Sequence, residues 1–263
     1  MKTPAPRRRW LQGLLPLLIC LCGLAAPPVQ ARELRAVGTR FPRIFEPGET
    51  AADPAAGLGV ELLSRAAARL GHSLRFESYP WLRAQAMVEQ GQADILIGPY
   101  RTPEREARFL FSAQPFYEDA LLFYARREQA QLWRGDYAEL TPHSIGQVQG
   151  WAYGDVFEQA RVQLSHLSTV RDVGTGLQML RLGRLDLLAS NERNTEPVLA
   201  QLGLAEQLQP VGPPIGHLRG HFAYPRGARG QALRDTLDQA IAEMRARGEL
   251  RELARRWKVK IPD

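Results

Sequence analysis

Beyond its first 31 residues the chain has no cysteine, since Cys20 and Cys22 both lie near the N-terminus. That excludes disulfides, thiol redox chemistry and thiolate metal sites from everything that follows. Some 230 residues without staples must rest on their core, which is enough for one large or two small domains. A second long apolar run is also missing. No basic stripe interleaved with aromatic residues occurs, so nucleic-acid binding has no support. His72, His143, His166, His217 and His221 show no metal-ligand spacing, and no metal or other cofactor is expected. There is no Gly-x-Ser-x-Gly elbow and no phosphate-binding loop. Gly57-Leu-Gly59 lacks the third glycine of a dinucleotide fingerprint, having Leu62 there.

The N-terminus has what the remainder lacks. Lys2 and Arg7, Arg8 and Arg9 precede an apolar stretch from Trp10 to Ala26, and Val29-Gln-Ala31 carries the small-x-small pattern of a cleavage site. Residues 1–31 therefore read as a cleaved signal peptide. The apolar run is broken by Gln12, Pro16 and Gly23, which disfavours a membrane anchor. Ile19 and Leu21 precede the cysteines where a lipoprotein signal needs a small residue. The general secretion route and a periplasmic location are expected. The formal charge of +6 shrinks accordingly, because residues 1–31 hold four basic residues and no acid, leaving +2.

The most informative stretch runs from Gly91 to Tyr117. Ile95-Leu-Ile97 is a β-favouring run closed by Gly98 and Pro99. Thr102 is a cap, Pro103 suits the first helical position, and Glu104 complements the helix dipole. Arg105 thus stands on the first turn of a helix beyond the C-terminal end of a strand, where open α/β sheets bind ligands. Free backbone N–H groups there attract anions, and a guanidinium holds a carboxylate with two hydrogen bonds. A bare reading of the residue would make Arg105 a solvated helix residue. The construction returns as Gly183-Arg-Leu-Asp186, 92 positions after Gly91-Gln-Ala-Asp94, a spacing that suits one small lobe per copy.

Along the rest of the chain, Leu34–Val37 predicts a first strand, and Gly38–Pro54 a loop. Gly57–Leu70 predicts an amphipathic helix, with Glu61 and Arg65 placed to pair and Gly71 ending it. Leu74–Tyr79 alternates as a strand, and Trp81, Ala84 and Val88 mark the next helix. This βαβαβ order implies a parallel sheet with helical crossovers. After a strand at Leu121–Tyr124 and a polar segment, a second alternating series begins at Ser144–Gln149. It continues with helices near Tyr153–Arg161, Gly176–Leu182 and Glu196–Leu202 and a strand at Asp186–Ala189. Phe222–Tyr224 then precedes two apolar-faced helices separated by Gly248.

Assembled in order, these pieces resemble the family 3 periplasmic solute-binding proteins, which include amino-acid-binding proteins of ABC importers. Gly59-Val-Glu-Leu-Leu63 is similar to the family's helix start, and Gly91-Gln-Ala-Asp94 with Thr102-Pro-Glu-Arg105 to its most recognisable motif pair. Phe111-Ser112 with Pro115-Phe-Tyr117, Gly183-Arg-Leu-Asp186, and Met244 to Leu250 running on to Trp257 resemble the others. The resemblance implies an α/β, two-lobed periplasmic-binding-protein type II fold. Each lobe would be a mostly parallel sheet flanked by helices, with two crossover strands near Glu118–Leu122 and Gly220–Ala223 joining them. Residues 32–120 plus 221–263 would form lobe 1 and residues 121–220 lobe 2. The lobes would close on ligand by hinge motion. The resemblance further implies a monomer that captures a small carboxylate-bearing, amino-acid-like solute for an inner-membrane ABC permease or a receptor.

Carried over residue by residue, Arg105 falls on the family's α-carboxylate anchor, flanked by Gly98 and Tyr100. Tyr100 replaces a small hydroxyl residue, Gly150-Trp151 stands where Gly-Thr is common, and Asn191 stands where amino-acid binders place an Asp for the ammonium. Either another carboxylate serves instead, with Glu192 nearest, or the ligand has no ammonium. Phe41 and Phe45 lie in the ligand-stacking loop, with the core as the alternative home for one of them. Trp81 either lines the cleft or staples its helix. Arg40 replaces an acid found in binders of cationic amino acids, which disfavours a basic ligand side chain. Two alternatives remain. Cyclohexadienyl dehydratases resemble these proteins too, and such an enzyme would need a general acid such as Glu104, Glu118, Asp119 or Glu192. A sensory module would need a separate signalling partner, because the chain ends at Asp263 without a kinase segment.

Overall fold

The computed structural model describes Met1 and residues 32–262, apart from 49, 51 and 52. The expected signal peptide thus lies outside the described residues. Strand β1 (Glu33–Gly38), helix α1 (Leu58–Arg69), β2 (Ser73–Ser78), α2 (Trp81–Glu89) and β3 (Ile95–Tyr100) follow in the predicted order. β1 pairs parallel with β2 on one edge and with β3 on the other. α3 (Pro103–Arg108) and β4 (Phe109–Phe111) lead into β5 (Tyr117–Arg126). The second series holds β6 (Ile145–Val148), α4 (Asp155–Ala160), β7 (Leu167–Val170), α5 (Val173–Arg181), β8 (Leu187–Asn191) and α6 (Glu192–Gln201). β6 pairs parallel with β7 and β8. The long β9 (Leu208–Pro225) returns, and α7 (Ala228–Ala246) and α8 (Glu249–Trp257) close the fold.

One hydrogen-bonded path connects these strands, in the order β2-β1-β3-β9-β5-β8-β6-β7, with β4 added on β9. It has two parallel wings, β2-β1-β3 and β8-β6-β7, each flanked by helices. Two antiparallel crossover strands, β5 and β9, join them. Partner changes mark the middle. β5 begins pairing with β8 at Leu121↔Asn191, and β9 begins pairing with β3 at Gly220↔Tyr100. At Gly220 a Cβ would sit 1.7 Å from the Tyr117 ring, so only glycine lets the crossovers approach this closely.

The 92-residue repeat has a physical basis. Asp94 accepts from the Arg35 N–H at 2.9 Å while its own N–H donates to the Arg35 carbonyl at 2.9 Å. Asp186 does the same with Ser144, at 2.9 and 2.8 Å. In each wing the aspartate of Gly-x-x-Asp docks an incoming strand onto the start of its parallel neighbour, satisfying groups no strand ladder reaches.

Several expectations change. β9 spans eighteen residues rather than the three apolar ones. Its Gly212, Pro213 and Pro214 sit in a register shift opposite Leu122, where prolines need not donate to the ladder. β7 lies outside the sequence pattern, because only its end residues are apolar. α6 starts at Glu192, a turn earlier than the apolar pattern marks. Glu61 pairs with Arg256 and accepts from Trp257 Nε1, while Arg65 reaches Glu249. The surface of α1 is therefore held by α8 rather than by an intrahelical pair.

Candidate functional site

The sequence places strand ends and helix starts at the gap between the wings. At the end of β3 the Thr102 hydroxyl accepts from the Arg105 N–H at 3.3 Å, and Pro103 opens α3. This directs Arg105 inward. Its side chain is buried (6% exposed), not solvated. One N–H donates to the Tyr100 carbonyl at 2.9 Å and another to the Gly150 carbonyl, beyond β6 in the other wing, at 2.9 Å. The guanidinium lies 5.6 Å from the Trp81 ring centroid. It makes no ion pair among the described residues, and burial lowers its pKa from the ordinary arginine value.

The facing junction is β8 into α6. Asn191 caps α6, its side-chain oxygen accepting from the Asn194 N–H at 3.0 Å. Its amide nitrogen donates to the Tyr100 hydroxyl at 3.0 Å, and that hydroxyl donates to Asp119 at 2.6 Å. A tyrosine O–H has one proton to give, so its oxygen needs a donor. An asparagine supplies one where an aspartate would not. Tyr100 and Asn191, two of the departures from the pattern the sequence resembles, are thus halves of one hydrogen-bonded device.

Asp119, on crossover β5, also receives Arg193 from α6, with Nε at 3.0 Å and Nη2 at 2.6 Å. Arg193 is as buried as Arg105 and lies over the Tyr117 ring at 5.1 Å and the Phe41 ring at 5.8 Å. It donates further to the Pro42 carbonyl at 2.8 Å. Although burial opposes its charge, Asp119 holds its pKa above the ordinary value. Desolvation pushes the Tyr100 and Tyr117 hydroxyls far upward, so both stay protonated donors.

Between the two junctions lies a cavity of about 10 Å³, room for about one water. Phe41, Trp81, Gly98, Tyr100, Arg105, Trp151, Ala152, Asn191 and Asn194 line it. Gly98 has φ of 80°, and a Cβ there would press on Phe41 at 3.2 Å and on the Tyr117 hydroxyl at 3.3 Å. The gap also opens outward on either side of this centre. One compartment, of about 400 Å³, contains Arg105, Thr102, Glu104, Arg108 and Trp151. The other, of about 470 Å³, contains Phe41, Pro42, Trp81, Trp151 and Asn194 with Arg40 and Arg171. Trp81 and Trp151 belong to the wall of the second compartment and of the centre alike. The Trp81 indole N–H donates to the Gly150 carbonyl at 3.1 Å. The arrangement is closed, with carbonyls and side chains of one wing bonded to those of the other.

The profile of the bacterial extracellular solute-binding proteins, family 3, matches residues 44–260. The chain belongs to that family. A relative described as "Putative amino-acid ABC transporter-binding protein PatH", from Vibrio harveyi, is 21% identical over 254 residues. That match covers 94% of this chain and 97% of the relative. A histidine kinase sensor domain with similarity to periplasmic binding proteins superposes with a TM-score of 0.76 at 20% identity, over 88% of this chain and 99% of that one. An ancestral amino-acid-binding protein, AncCDT-1, a precursor of cyclohexadienyl dehydratase, gives 0.67 at 19% identity, over 86% and 94%. Those likenesses carry the fold, a two-lobed periplasmic-binding-protein architecture. No helix of the described residues is long and apolar enough to cross a membrane.

Of the nine residues singled out as ligand contacts in this family member, seven line the central cavity: Arg105, Gly98, Tyr100, Phe41, Trp81, Trp151 and Asn191. Gly150 stands behind them, its carbonyl accepting from Arg105 and Trp81. Phe45 is a correction. It is fully buried in the core, near Phe76 and against Gly38. A tight turn, with reciprocal backbone hydrogen bonds between Phe41 and Phe45, sends the first ring to the cavity and the second inward. Glu192, the candidate substitute for an acid at 191, is exposed. Sequence reasoning missed Arg193, Ala152 and Asn194, and weighed Asp119 only as a possible general acid. The available signal was Arg193 itself, two positions after a cap much as Arg105 is three after Thr102.

Proposed function

We propose that this protein captures a small carboxylate-bearing solute, of about amino-acid size, between its lobes and hands it to an inner-membrane ABC permease or a receptor. The observation that carries this reading is Arg105. A buried guanidinium without a counter-ion is costly, and a ligand carboxylate would supply one. Two of its five N–H groups are spent on backbone carbonyls, leaving three for a ligand. The helix N-terminus beneath it favours an anion as well. From this closed arrangement the lobes would part to admit the solute, and Arg105 would exchange the Gly150 carbonyl for the carboxylate. Lobe limits at 32–120 plus 221–263 and at 121–220 are supported by the partner changes at Leu121 and Gly220. A cleaved signal at 1–31, a periplasmic location and a monomeric state complete the proposal.

An absence of chemistry fits the same residues. Glu104 and Glu192 are exposed, and Glu118 is held by Lys260 at 2.8 Å. Asp119 has both oxygens bonded by Arg193. None of the four lines the central cavity. The experiment is thermal unfolding of the mature protein with a panel of amino acids, dicarboxylates and other small acids. A ligand at 100 times its dissociation constant adds about 2.7 kcal/mol. Stabilisation by at least one acid, lost in Arg105→Ala, supports the reading. Silence across the panel, or turnover of prephenate or arogenate, removes it.

A further inference from the structure

The cavity wall presents one guanidinium, that of Arg105, while a second, that of Arg193, lies over the ring of the lining residue Phe41. The lining residues include no Asp or Glu. Asp119, hydrogen-bonded to the lining residue Tyr100, is buried, with one oxygen bonded by Arg193 Nε and the other by Arg193 Nη2 and the Tyr100 hydroxyl. Neighbouring carbonyls are engaged too. The Gly98 carbonyl accepts from the Tyr117 hydroxyl at 2.6 Å, that of Tyr100 from Arg105, and that of Gly150 from Arg105 and Trp81. Asn191 and Asn194 offer neutral amides only. Of the aromatic faces that line the cavity, Phe41 already carries the Arg193 guanidinium and Trp81 that of Arg105.

We infer that Arg193 is a built-in cation that takes the acid, Asp119, and the Phe41 face an α-ammonium would use, so the site selects carboxylates that lack an amine. The inference rests on the carboxylate reading of Arg105 and narrows it. Arg105, Arg193 and Asp119 together carry one net positive charge, which a monoanionic head neutralises. A zwitterionic α-amino acid brings a second cation beside Arg105, where the lining of the central cavity has no acid to answer it. Arg193 is here a specificity-determining residue that acts through Asp119 rather than by touching the ligand.

Matched pairs decide the matter by isothermal titration calorimetry on the mature protein. Propanoate is set against alanine, succinate against aspartate, and hydrocinnamate against phenylalanine. Each pair differs only by the amine. The acid without the amine should bind about tenfold tighter or better wherever a pair binds at all. Arg193→Gln frees an Asp119 oxygen and should pull that ratio towards one, an effect a purely structural role would not produce. Should that variant fail to fold, the ratios on the unaltered protein decide alone. Equal binding within pairs, or tighter binding of the amino acids, overturns this inference and leaves the carboxylate reading standing. Failure of every acid, with and without the amine, removes both.

Discussion

At the end of β3, Thr102 caps α3 and Arg105 stands on its first turn. At the end of β8, Asn191 caps α6 and Arg193 stands on its first turn. Both arginines are buried to the same degree and both reach across the gap between the wings. Only their partners differ. Arg193 meets Asp119 in a two-point ion pair, whereas Arg105 meets carbonyls and an indole ring. Their pKa values move in opposite directions for that reason. One fold device, a capped helix start after a buried strand, therefore serves two ends. The paired arginine binds the protein to itself, and the other makes no ion pair among the described residues.

Breaking the paired side should cost most. Asp119→Ala strands Arg193 without its counter-ion and should lower unfolding stability by about 3–5 kcal/mol, read from denaturant midpoints. Tyr100→Phe keeps the ring and removes the hydroxyl that links Asp119 to Asn191. It should cost about 1–3 kcal/mol, because the Asn191 amide loses its acceptor in a buried site. Asn191→Ala removes a cap and the same link together, for about 1–2 kcal/mol. Thr102→Ala on the other side removes only a cap whose hydrogen bond is long, and about 0.5 kcal/mol is expected. If Thr102→Ala matched Asn191→Ala, the asymmetry drawn between the two junctions would be wrong.

What could be read from sequence follows locality. The cap at Thr102, the strand before it and the Gly-x-x-Asp repeats are all set by residues a few positions apart, and the structure has them where the spacing puts them. The two-wing sheet follows from the repeated alternation of strand and helix. Arg193 was invisible because its partner lies 74 positions away, and nothing beside it hints at Asp119. The choice between Phe41 and Phe45 turned on one tight turn, which the Pro-, Gly- and aromatic-rich loop does not announce. β9 was hidden by its glycines and prolines, which mark a bulge here and a loop elsewhere. Tyr100 and Asn191 stand 91 positions apart, so their sequence gives no sign that they share one chain of hydrogen bonds.

The central claim is that Arg105 is kept unpaired for a ligand carboxylate. The acid that most stabilises the mature protein should be titrated by calorimetry into that protein and into Arg105→Ala at one pH and salt concentration. With circular dichroism showing both folded, the account predicts at least about 30-fold weaker binding to the variant, the equivalent of about 2 kcal/mol for a lost buried charge pair. Equal affinity for the two would contradict it, and would place the anion's contacts elsewhere in the cleft.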